Sequence, residues 1–249
     1  MARRPVLLSG DPHAPFPDVS LALRQPDGLL AVGGDLSVPR LLAAYRSGIF
    51  PWYSEGQPIL WWSPDPRTVF RTGAVHLSSR FRRELRRLRW QVRADTAFDA
   101  VVAACAAMPR PGQDGTWIVP GMRRAYAHLH RLGHAHSIEV FDEEGRLAGG
   151  IYGVAIGRMF FGESMFSARS GGSKVALAAL ARWLDERGWP LIDAQVGNPH
   201  LESLGAEAWP RARFMDALAA LTAAPGLGGS WTGEFGTIPA SGLAGPTAD

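Results

Sequence analysis

Residues 136–167, HSIEVFDEEGRLAGGIYGVAIGRMFFGESMFS, constrain the fold more than any other part of the chain. Three stretches with β-branched and aromatic residues are separated by two turn sequences, DEEG and AIGR. This spacing predicts three consecutive antiparallel strands. A helical pattern follows over 173–188, and LIDAQV at 191–196 is typical of a buried strand. This order predicts an α+β domain with one central mixed sheet.

A change of pattern at residues 63–67, SPDPR, indicates a domain boundary. The preceding sequence is dense in turn signals and contains a short helical pattern and a proline-bounded hairpin, so we predict a small N-terminal domain over 1–66. The strand and helix patterns that follow predict a larger domain over 67–227. Residues 228–249 are rich in Gly, Pro and Thr, and we predict that they form a flexible tail.

The composition excludes several classes of protein. The chain has 249 residues, 46% of them hydrophobic, which is enough to bury a core. It has no run of eighteen apolar residues, and its N-terminal apolar stretch is too short for a secretory signal. We therefore expect a cytoplasmic protein. The one cysteine, Cys105, lies in an Ala-rich helical pattern and is predicted to be an inert core thiol.

Four histidines lie close together in the sequence, which raises the question of a metal site. Gly133 ends the predicted helix between the two pairs, and neither a second cysteine nor an HExxH motif supports metal binding. We predict no metal site there. The four residues are His128, His130, His134 and His136.

An arginine-rich helix is predicted over residues 78–89. Phe81, Leu85 and Leu88 form its apolar stripe, and basic residues cover most of the remaining surface. The pattern is compatible with a solvated face and with a phosphate-binding surface for nucleic acid, and it does not separate the two. The basic residues are Arg80, Arg82, Arg83, Arg86, Arg87 and Arg89.

Candidate catalytic residues lie on the predicted strands. Asp193 and Gln195 are two positions apart, so strand alternation places them on one face. The carboxylate could orient the amide toward a substrate, or the two could form a structural polar pair. Glu163 lies within an apolar stretch, where a buried acid needs a polar partner. A substrate amine would be such a partner.

Two tryptophans follow turn-forming sequence: Trp52 in IFPWY and Trp117 in GTWI. Each could pack in the core or stack on a nucleobase. The chain has neither a GxSxG motif nor a P-loop, so covalent serine chemistry and phosphate binding by such a loop are not predicted.

From about Phe16 to Leu218 the chain closely resembles the leucyl/phenylalanyl-tRNA–protein transferase family. The segments that carry the resemblance are GLLAVGGDLS, YRSGIFPWYSEGQPILWWSPDPR, DGTWI, AYAHLHRLGHAHSIEV, GGIYGVAIG, FFGESMFS and LIDAQVGNPHLESLGA. The resemblance implies a small N-terminal domain and a C-terminal domain similar to the GCN5-related N-acetyltransferase fold.

The resemblance also implies an activity. Members transfer leucine or phenylalanine, and less well methionine, from aminoacyl-tRNA to the N-terminal arginine or lysine of acceptor proteins. The new residue marks the acceptor for degradation by the bacterial N-end rule pathway. No metal or organic cofactor is implied, because the tRNA ester supplies the activation. We expect a monomer that does not bind membranes.

The resemblance gives each candidate residue a role. It implies that Asp193 and Gln195 assist attack by the acceptor amine, and that Glu163 lies at the substrate site. Trp52 and Trp117 would lie near the 3′-terminal adenosine, and the arginine helix would bind the tRNA backbone. The pocket for the transferred side chain would be lined by Ile151, Phe160, Met165, Leu177 and Ile192.

Departures from the family pattern and two rival functions remain. Ala194 stands where the family usually has cysteine, which excludes a catalytic thiol there. Ile151 stands where family members can have methionine. An acetyl-CoA N-acetyltransferase would need a small residue where the loop ARSGGSK ends in Lys174. A noncatalytic RNA-binding module would explain the arginines but would leave Glu163, Asp193 and Gln195 without a purpose.

Overall fold

The computed structural model describes residues 4–108 and 116–245. Four short strands form an N-terminal sheet in the order β1-β2-β4-β3. These strands are β1 (Val6–Leu8), β2 (Leu29–Gly33), β3 (Phe50–Pro51) and β4 (Leu60–Trp62), with helix α1 (Val38–Arg46) between β2 and β3. Pro39 lies in the first turn of α1, where its missing N–H leaves no intrahelical bond unmade.

Eight further strands form a large sheet in the order β11-β5-β10-β9-β8-β7-β6-β12. They are β5 (Arg67–Arg71), β6 (Gln91–Ala94), β7 (Ala135–Phe141), β8 (Leu147–Ile156), β9 (Met159–Ser167), β10 (Leu191–Gln195), β11 (Glu207–Trp209) and β12 (Ile238–Pro239). Strands β7, β8 and β9 pair antiparallel in succession, whereas β9 and β10 pair in parallel. The predicted antiparallel run and the central mixed sheet are therefore confirmed.

Helices cover both faces of the large sheet. They are α2 (Ser79–Leu85), α3 (Phe98–Ala107), α4 (Pro120–Arg131), α5 (Gly172–Asp185), α6 (Pro199–Ser203), α7 (Arg211–Ala223) and α8 (Thr232–Phe235). Neighbouring residues Phe160 and Phe161 of β9 belong to different hydrophobic clusters, as the pleat requires. The Phe161 cluster includes residues of α1, α3, α4 and α7, and the Phe160 cluster includes residues of α5 and α8. Over the described ranges, none of the helices is long and apolar enough to cross a bilayer.

The two sheets lie on either side of the predicted domain boundary, since β4 ends at Trp62 and β5 begins at Arg67. One hydrophobic cluster nevertheless includes Leu41 and Trp61 from the first part together with Phe161 and Phe214 from the second. The two parts share this core. The division at 66/67 stays a prediction.

The C-terminal segment differs from the prediction. Strand β12 pairs with the edge strand β6, and the indole of Trp231 is 1% exposed and stacks on His136 with ring centroids 3.8 Å apart. The backbone N–H of Trp231 donates to Asp95 Oδ2 at 2.8 Å. The prediction of a flexible tail is therefore wrong for 228–245, because a buried tryptophan and a strand pairing anchor this segment. The last four residues lie outside the described ranges.

We predict that Trp231→Ala lowers the free energy of unfolding by about 3–5 kcal/mol, because it removes a large buried side chain whose space neighbours cannot fill completely. Urea denaturation measures this change. Leu132→Ala is the matched control, since Leu132 is 52% exposed and its loss should cost less than about 0.5 kcal/mol. Equal effects of the two substitutions would contradict the anchoring role of Trp231.

Candidate active site

A cavity of about 810 Å³ opens where β9 and β10 separate. The parallel pairing of these strands ends at Asp193 and Phe161, and the residues that follow on both strands line the opening. Four of the five residues predicted to line the side-chain pocket line this cavity, namely Ile151, Met165, Leu177 and Ile192, and their contact with a transferred side chain stays a prediction. Phe160 is not among the lining residues. Its side chain is fully buried in the core, with its ring centroid 5.8 Å from that of Trp231.

Glu163 lies in this cavity and is 7% exposed. Its Oε1 accepts hydrogen bonds from the Tyr45 hydroxyl at 2.7 Å and from Gln195 Nε2 at 2.9 Å. Its Oε2 accepts a hydrogen bond from the Tyr126 hydroxyl at 2.5 Å. The two tyrosines come from α1 and α4, so helices from both parts of the chain supply the donors that a buried carboxylate needs.

Glu163, Tyr45 and Tyr126 form a closed ring of oxygen contacts. The two tyrosine hydroxyls are themselves 2.7 Å apart, so three short contacts join the three side chains. Each contact needs one proton, and the two hydroxyls supply two. The ring therefore has a full set of hydrogen bonds when Glu163 is protonated, and it lacks one proton when Glu163 is ionised.

The pKa of Glu163 agrees with this proton count. Burial is the largest cause that raises the pKa, the hydrogen bonds from the tyrosines and Gln195 oppose the rise, the negative charge of Asp193 adds to it, and the net pKa is about 7. Burial and the charge of Glu163 also raise the pKa of both tyrosines well above the usual value. Glu163 is therefore the member of the ring that exchanges a proton near neutral pH.

Asp193 does not make the contact that strand alternation predicts. Arg67 binds it in a forked arrangement, with Nε donating to Oδ1 at 2.8 Å and Nη2 to Oδ2 at 2.6 Å. Both side chains are buried. Asp193 Oδ1 also accepts the backbone N–H of Gln195 at 2.9 Å. The prediction that the Asp193 carboxylate binds the Gln195 side-chain amide directly is wrong, because that amide donates to Glu163 instead.

A backbone irregularity explains this difference. The pairing between β10 and β5 shifts register between Asp193 and Gln195, and Gln195 has φ +62°, a left-handed conformation that is uncommon for residues other than glycine. Regular alternation therefore ends at Ala194. The left-handed backbone at Gln195 directs its side-chain amide to Glu163. Within the described residues, no hydrogen bond engages Gln195 Oε1, which leaves an acceptor at the cavity.

The two tryptophans pack in the core and also present surface to the cavity. Trp52 and Trp117 line the cavity, and both pack against the hydrophobic cluster beneath it, where Trp117 is 8% exposed. The Trp62 indole N–H donates to the Trp52 carbonyl at 2.7 Å and fixes that part of the wall. Their predicted contact with adenosine stays a prediction.

The arginine-rich segment lies outside the cavity lining, and its helix is shorter than predicted. Helix α2 ends at Leu85, so three of the six arginines follow it. Arg80 pairs with Glu84 at 3.1 Å, and Arg82 Nε donates to the Leu77 carbonyl at 2.9 Å. Arg83, Arg87 and Arg89 are exposed, and Arg86 Nη2 donates to the Gly245 carbonyl at 3.3 Å. Their predicted role in tRNA binding stays a prediction.

The remaining candidate residues, Cys105 and the clustered histidines, make contacts within the fold. Cys105 is buried in the core, as predicted. His136 Nδ1 lies 2.8 Å from Asp95 Oδ2, and His130 Nδ1 lies 2.8 Å from the Ala135 carbonyl. In the part of the chain that the structure describes, no group of three or more His, Cys, Asp or Glu side chains is placed to hold a metal ion.

Sequence reasoning missed Tyr45, Tyr126 and Arg67. A weak signal existed for the tyrosines, because each occupies the apolar face of a helix, where a buried hydroxyl needs a partner. The partner itself could not be read from the sequence. Glu163 is 118 residues from Tyr45, and Arg67 is 126 residues from Asp193.

Comparison with known proteins identifies the family. The family model described as leucyl/phenylalanyl-tRNA protein transferase matches residues 69–219, and the model of its N-terminal domain matches residues 34–65. A leucyl/phenylalanyl-tRNA–protein transferase of Xanthomonas axonopodis pv. citri is 66% identical over 244 residues, covering 98% of each chain. One from Xylella fastidiosa is 62% identical over 232 residues, covering 93% of this chain and 95% of its own.

Among solved structures, a GCN5-related N-acetyltransferase from Kribbella flavida is similar with a TM-score of 0.38 and 12% identity, covering 73% of this chain and 65% of that one. The family matches confirm the resemblance seen in the sequence. The chain belongs to the leucyl/phenylalanyl-tRNA protein transferase family and is an aminoacyltransferase.

We predict that stability falls as pH rises from about 4.5 to 7, by about 3 kcal/mol from Glu163 alone. The folded protein keeps the Glu163 proton up to a pKa of about 7, whereas the unfolded chain releases it near the ordinary value of 4.5. This contribution is therefore fully present below pH 4.5 and is lost as pH rises through 7. Urea denaturation across this range measures it.

Glu163→Gln is the matched variant, because an amide fills the same space, can accept from one tyrosine and donate to the other, and does not titrate. The decrease in unfolding free energy assigned to Glu163 should be absent from it. The same pH dependence in both proteins would show that another group is responsible.

Proposed function

We propose that this aminoacyltransferase moves leucine or phenylalanine, and less well methionine, from aminoacyl-tRNA to the N-terminal arginine or lysine of acceptor proteins. The product would be marked for degradation by the bacterial N-end rule pathway in the cytoplasm. The enzyme acts as a monomer without a metal or organic cofactor. The observation that carries the proposal is one cavity in which an apolar wall lies beside the hydrogen-bonded pair Glu163 and Gln195.

The apolar wall suits the side chain of the transferred amino acid. Ile151, Met165, Leu177 and Ile192 offer hydrocarbon and thioether surface and no charge. A pocket of this kind separates substrates that differ by one methylene by about 1–3 kcal/mol, which favours leucine over valine. The names of the relatives, which specify leucyl- and phenylalanyl-tRNA, support this choice of substrate.

The tryptophan wall suits the nucleoside at the end of the tRNA. A cavity of about 810 Å³ has room for more than one amino-acid side chain, and Trp52 and Trp117 present aromatic surface to the remainder. Stacking of a base on an aromatic side chain contributes about 1–3 kcal/mol. We assign the tRNA backbone to the exposed arginines of α2 and of the segment that follows it, where contacts with phosphate do not depend on sequence.

The reaction needs a proton to move from the amine to the ribose. The neutral α-amine of the acceptor attacks the ester carbonyl carbon, a C–N bond forms, and the C–O bond to the ribose breaks. Gln195 Oε1 accepts an N–H hydrogen bond and aims the nitrogen lone pair. Ionised Glu163 takes the amine proton and returns it to the leaving ribose oxygen, so that no proton is gained or lost overall.

Burial gives Glu163 the properties of a base. A pKa of about 7 lets the carboxylate accept a proton and release it again at neutral pH. When the proton arrives, the ring with Tyr45 and Tyr126 gains its third hydrogen bond. Asp193 is assigned no such role, because the charged guanidinium of Arg67 binds both of its oxygens, whereas the donors to Glu163 are neutral hydroxyl and amide groups.

The transfer itself is tested by incubating the protein with leucyl-tRNA and a peptide that begins with arginine. Mass spectrometry should detect the gain of one leucine residue, and a matched peptide that begins with glycine should gain none. Phenylalanyl-tRNA should also serve as donor, and valyl-tRNA should serve poorly. RNA binding that is the same for charged and uncharged tRNA, with no transfer, would favour a binding module instead.

The pH dependence of turnover tests Glu163 as the base. At saturating substrates, kcat should rise with pH through about 7 as Glu163 ionises. Glu163→Gln should lower kcat by about 10²-fold. The rise that remains should lie near pH 8, where the acceptor α-ammonium group loses its proton and becomes the neutral amine. Retention of the step near pH 7 in this variant would exclude Glu163 as the group that titrates.

A further inference from the structure

The conformation of Gln195 needs external support. Among the described residues, only Gln195 and Asp95 have a positive φ without being glycine. A left-handed residue with a side chain persists only where its surroundings hold it. For Gln195 the holding contact is the hydrogen bond of its backbone N–H to Asp193 Oδ1 at 2.9 Å.

Asp193 is itself held by Arg67 alone among charged side chains of the described residues. The two guanidinium contacts, at 2.8 and 2.6 Å, engage both carboxylate oxygens, and neither side chain is more than 1% exposed. The planar fork fixes the carboxylate in orientation as well as in position. Without Arg67, a buried negative charge would remain next to Glu163.

Arg67 is fixed in turn by the surrounding structure. Its guanidinium carbon lies 4.8 Å from the ring centroid of Phe50 and 4.7 Å from that of Phe214. Its Nη1 donates to the Gly48 carbonyl at 3.0 Å. Gly48 and Phe50 belong to the N-terminal part, and Phe214 belongs to α7, so this one side chain connects two separate regions to the edge of the cavity.

We propose that Arg67 is a positioning residue: through Asp193 it holds the Gln195 backbone in the left-handed conformation and so directs the Gln195 amide at Glu163. This inference rests on the proposed function, in which Gln195 aims the acceptor amine. Asp193 then connects Arg67 to the Gln195 backbone. Arg67 affects catalysis through this connection, although it does not touch the substrate.

A double-mutant cycle tests the proposal. Arg67→Lys keeps the charge that pairs with Asp193 but loses the fork, so one ammonium group cannot reproduce the contacts to Oδ1, Oδ2 and Gly48. It should lower kcat for leucine transfer by about 10²-fold while KM for leucyl-tRNA changes less than about threefold. In the Gln195→Gly background, the same substitution should change kcat by less than about threefold.

Equal losses of kcat in the two backgrounds would overturn the proposal, because Arg67 would then act independently of Gln195. Arg71→Lys is the matched control. It lies on the same strand in an exposed ion pair with Glu207, and it should leave kcat unchanged.

Two neutral double variants test the connection even if Arg67→Lys does not fold. Arg67→Met with Asp193→Asn removes both charges and keeps an amide oxygen for the Gln195 N–H. Arg67→Met with Asp193→Leu removes both charges and that oxygen. The first should retain a kcat at least about tenfold above the second, and equal values would contradict the proposal.

A measurement without turnover separates this inference from the proposed function. The side-chain amide resonance of Gln195, assigned by its loss in Gln195→Gly, should shift in Arg67→Lys and stay in place in Arg71→Lys. An unchanged resonance in Arg67→Lys would overturn the proposal. If wild-type protein transfers no leucine, the proposed function fails, and this resonance still decides whether Arg67 positions Gln195.

Discussion

The burial of Glu163 is the constraint on which the rest of the site depends. A carboxylate inside an apolar sheet requires donors, and three of them converge on it from α1, α4 and the end of β10. The helix that carries Tyr45 belongs to the N-terminal part, so the site is complete only when that part packs on the large sheet. The shared hydrophobic core supplies this packing, and the hydrogen bond from Tyr45 to Glu163 fixes the position of α1 on the sheet.

Asp193 and Glu163 lie at the same cavity, and their hydrogen-bond partners differ in charge. Asp193 is bound by a guanidinium that occupies both oxygens, whereas the side chains that hydrogen-bond to Glu163 within the described ranges carry neutral hydroxyl and amide groups. Burial without a neighbouring cation raises the pKa of Glu163 to about 7. Separate environments for paired acids are a recurrent way to divide structural and proton-transfer roles. We propose the same division here, with Glu163 as the base and Asp193 as a support.

Local pattern predicted the strands β7 to β10 of the large sheet, because strand periodicity depends on neighbouring residues, but it did not predict the edge strands β11 and β12. It failed where distant residues decide. Alternation placed Asp193 and Gln195 on one face, but a register shift and a left-handed Gln195 direct the amide elsewhere. Composition predicted a flexible tail after residue 227, but Trp231 in this segment is buried and stacks on His136. The apolar pocket was predicted through the family resemblance, apart from Phe160, which faces the core.

We propose that Glu163 exchanges a proton near neutral pH because its carboxyl group is buried, with hydrogen-bond partners that are neutral and only partly offset the effect of burial. The most direct measurement is an NMR titration of the Glu163 side-chain carboxyl carbon in the folded protein without substrate. The account predicts a midpoint near pH 7, in contrast to about 4.3 for an ordinary glutamate. A midpoint near the ordinary value would mean that the buried carboxylate is ionised throughout the neutral range, and the role of Glu163 as a reversible base would be wrong.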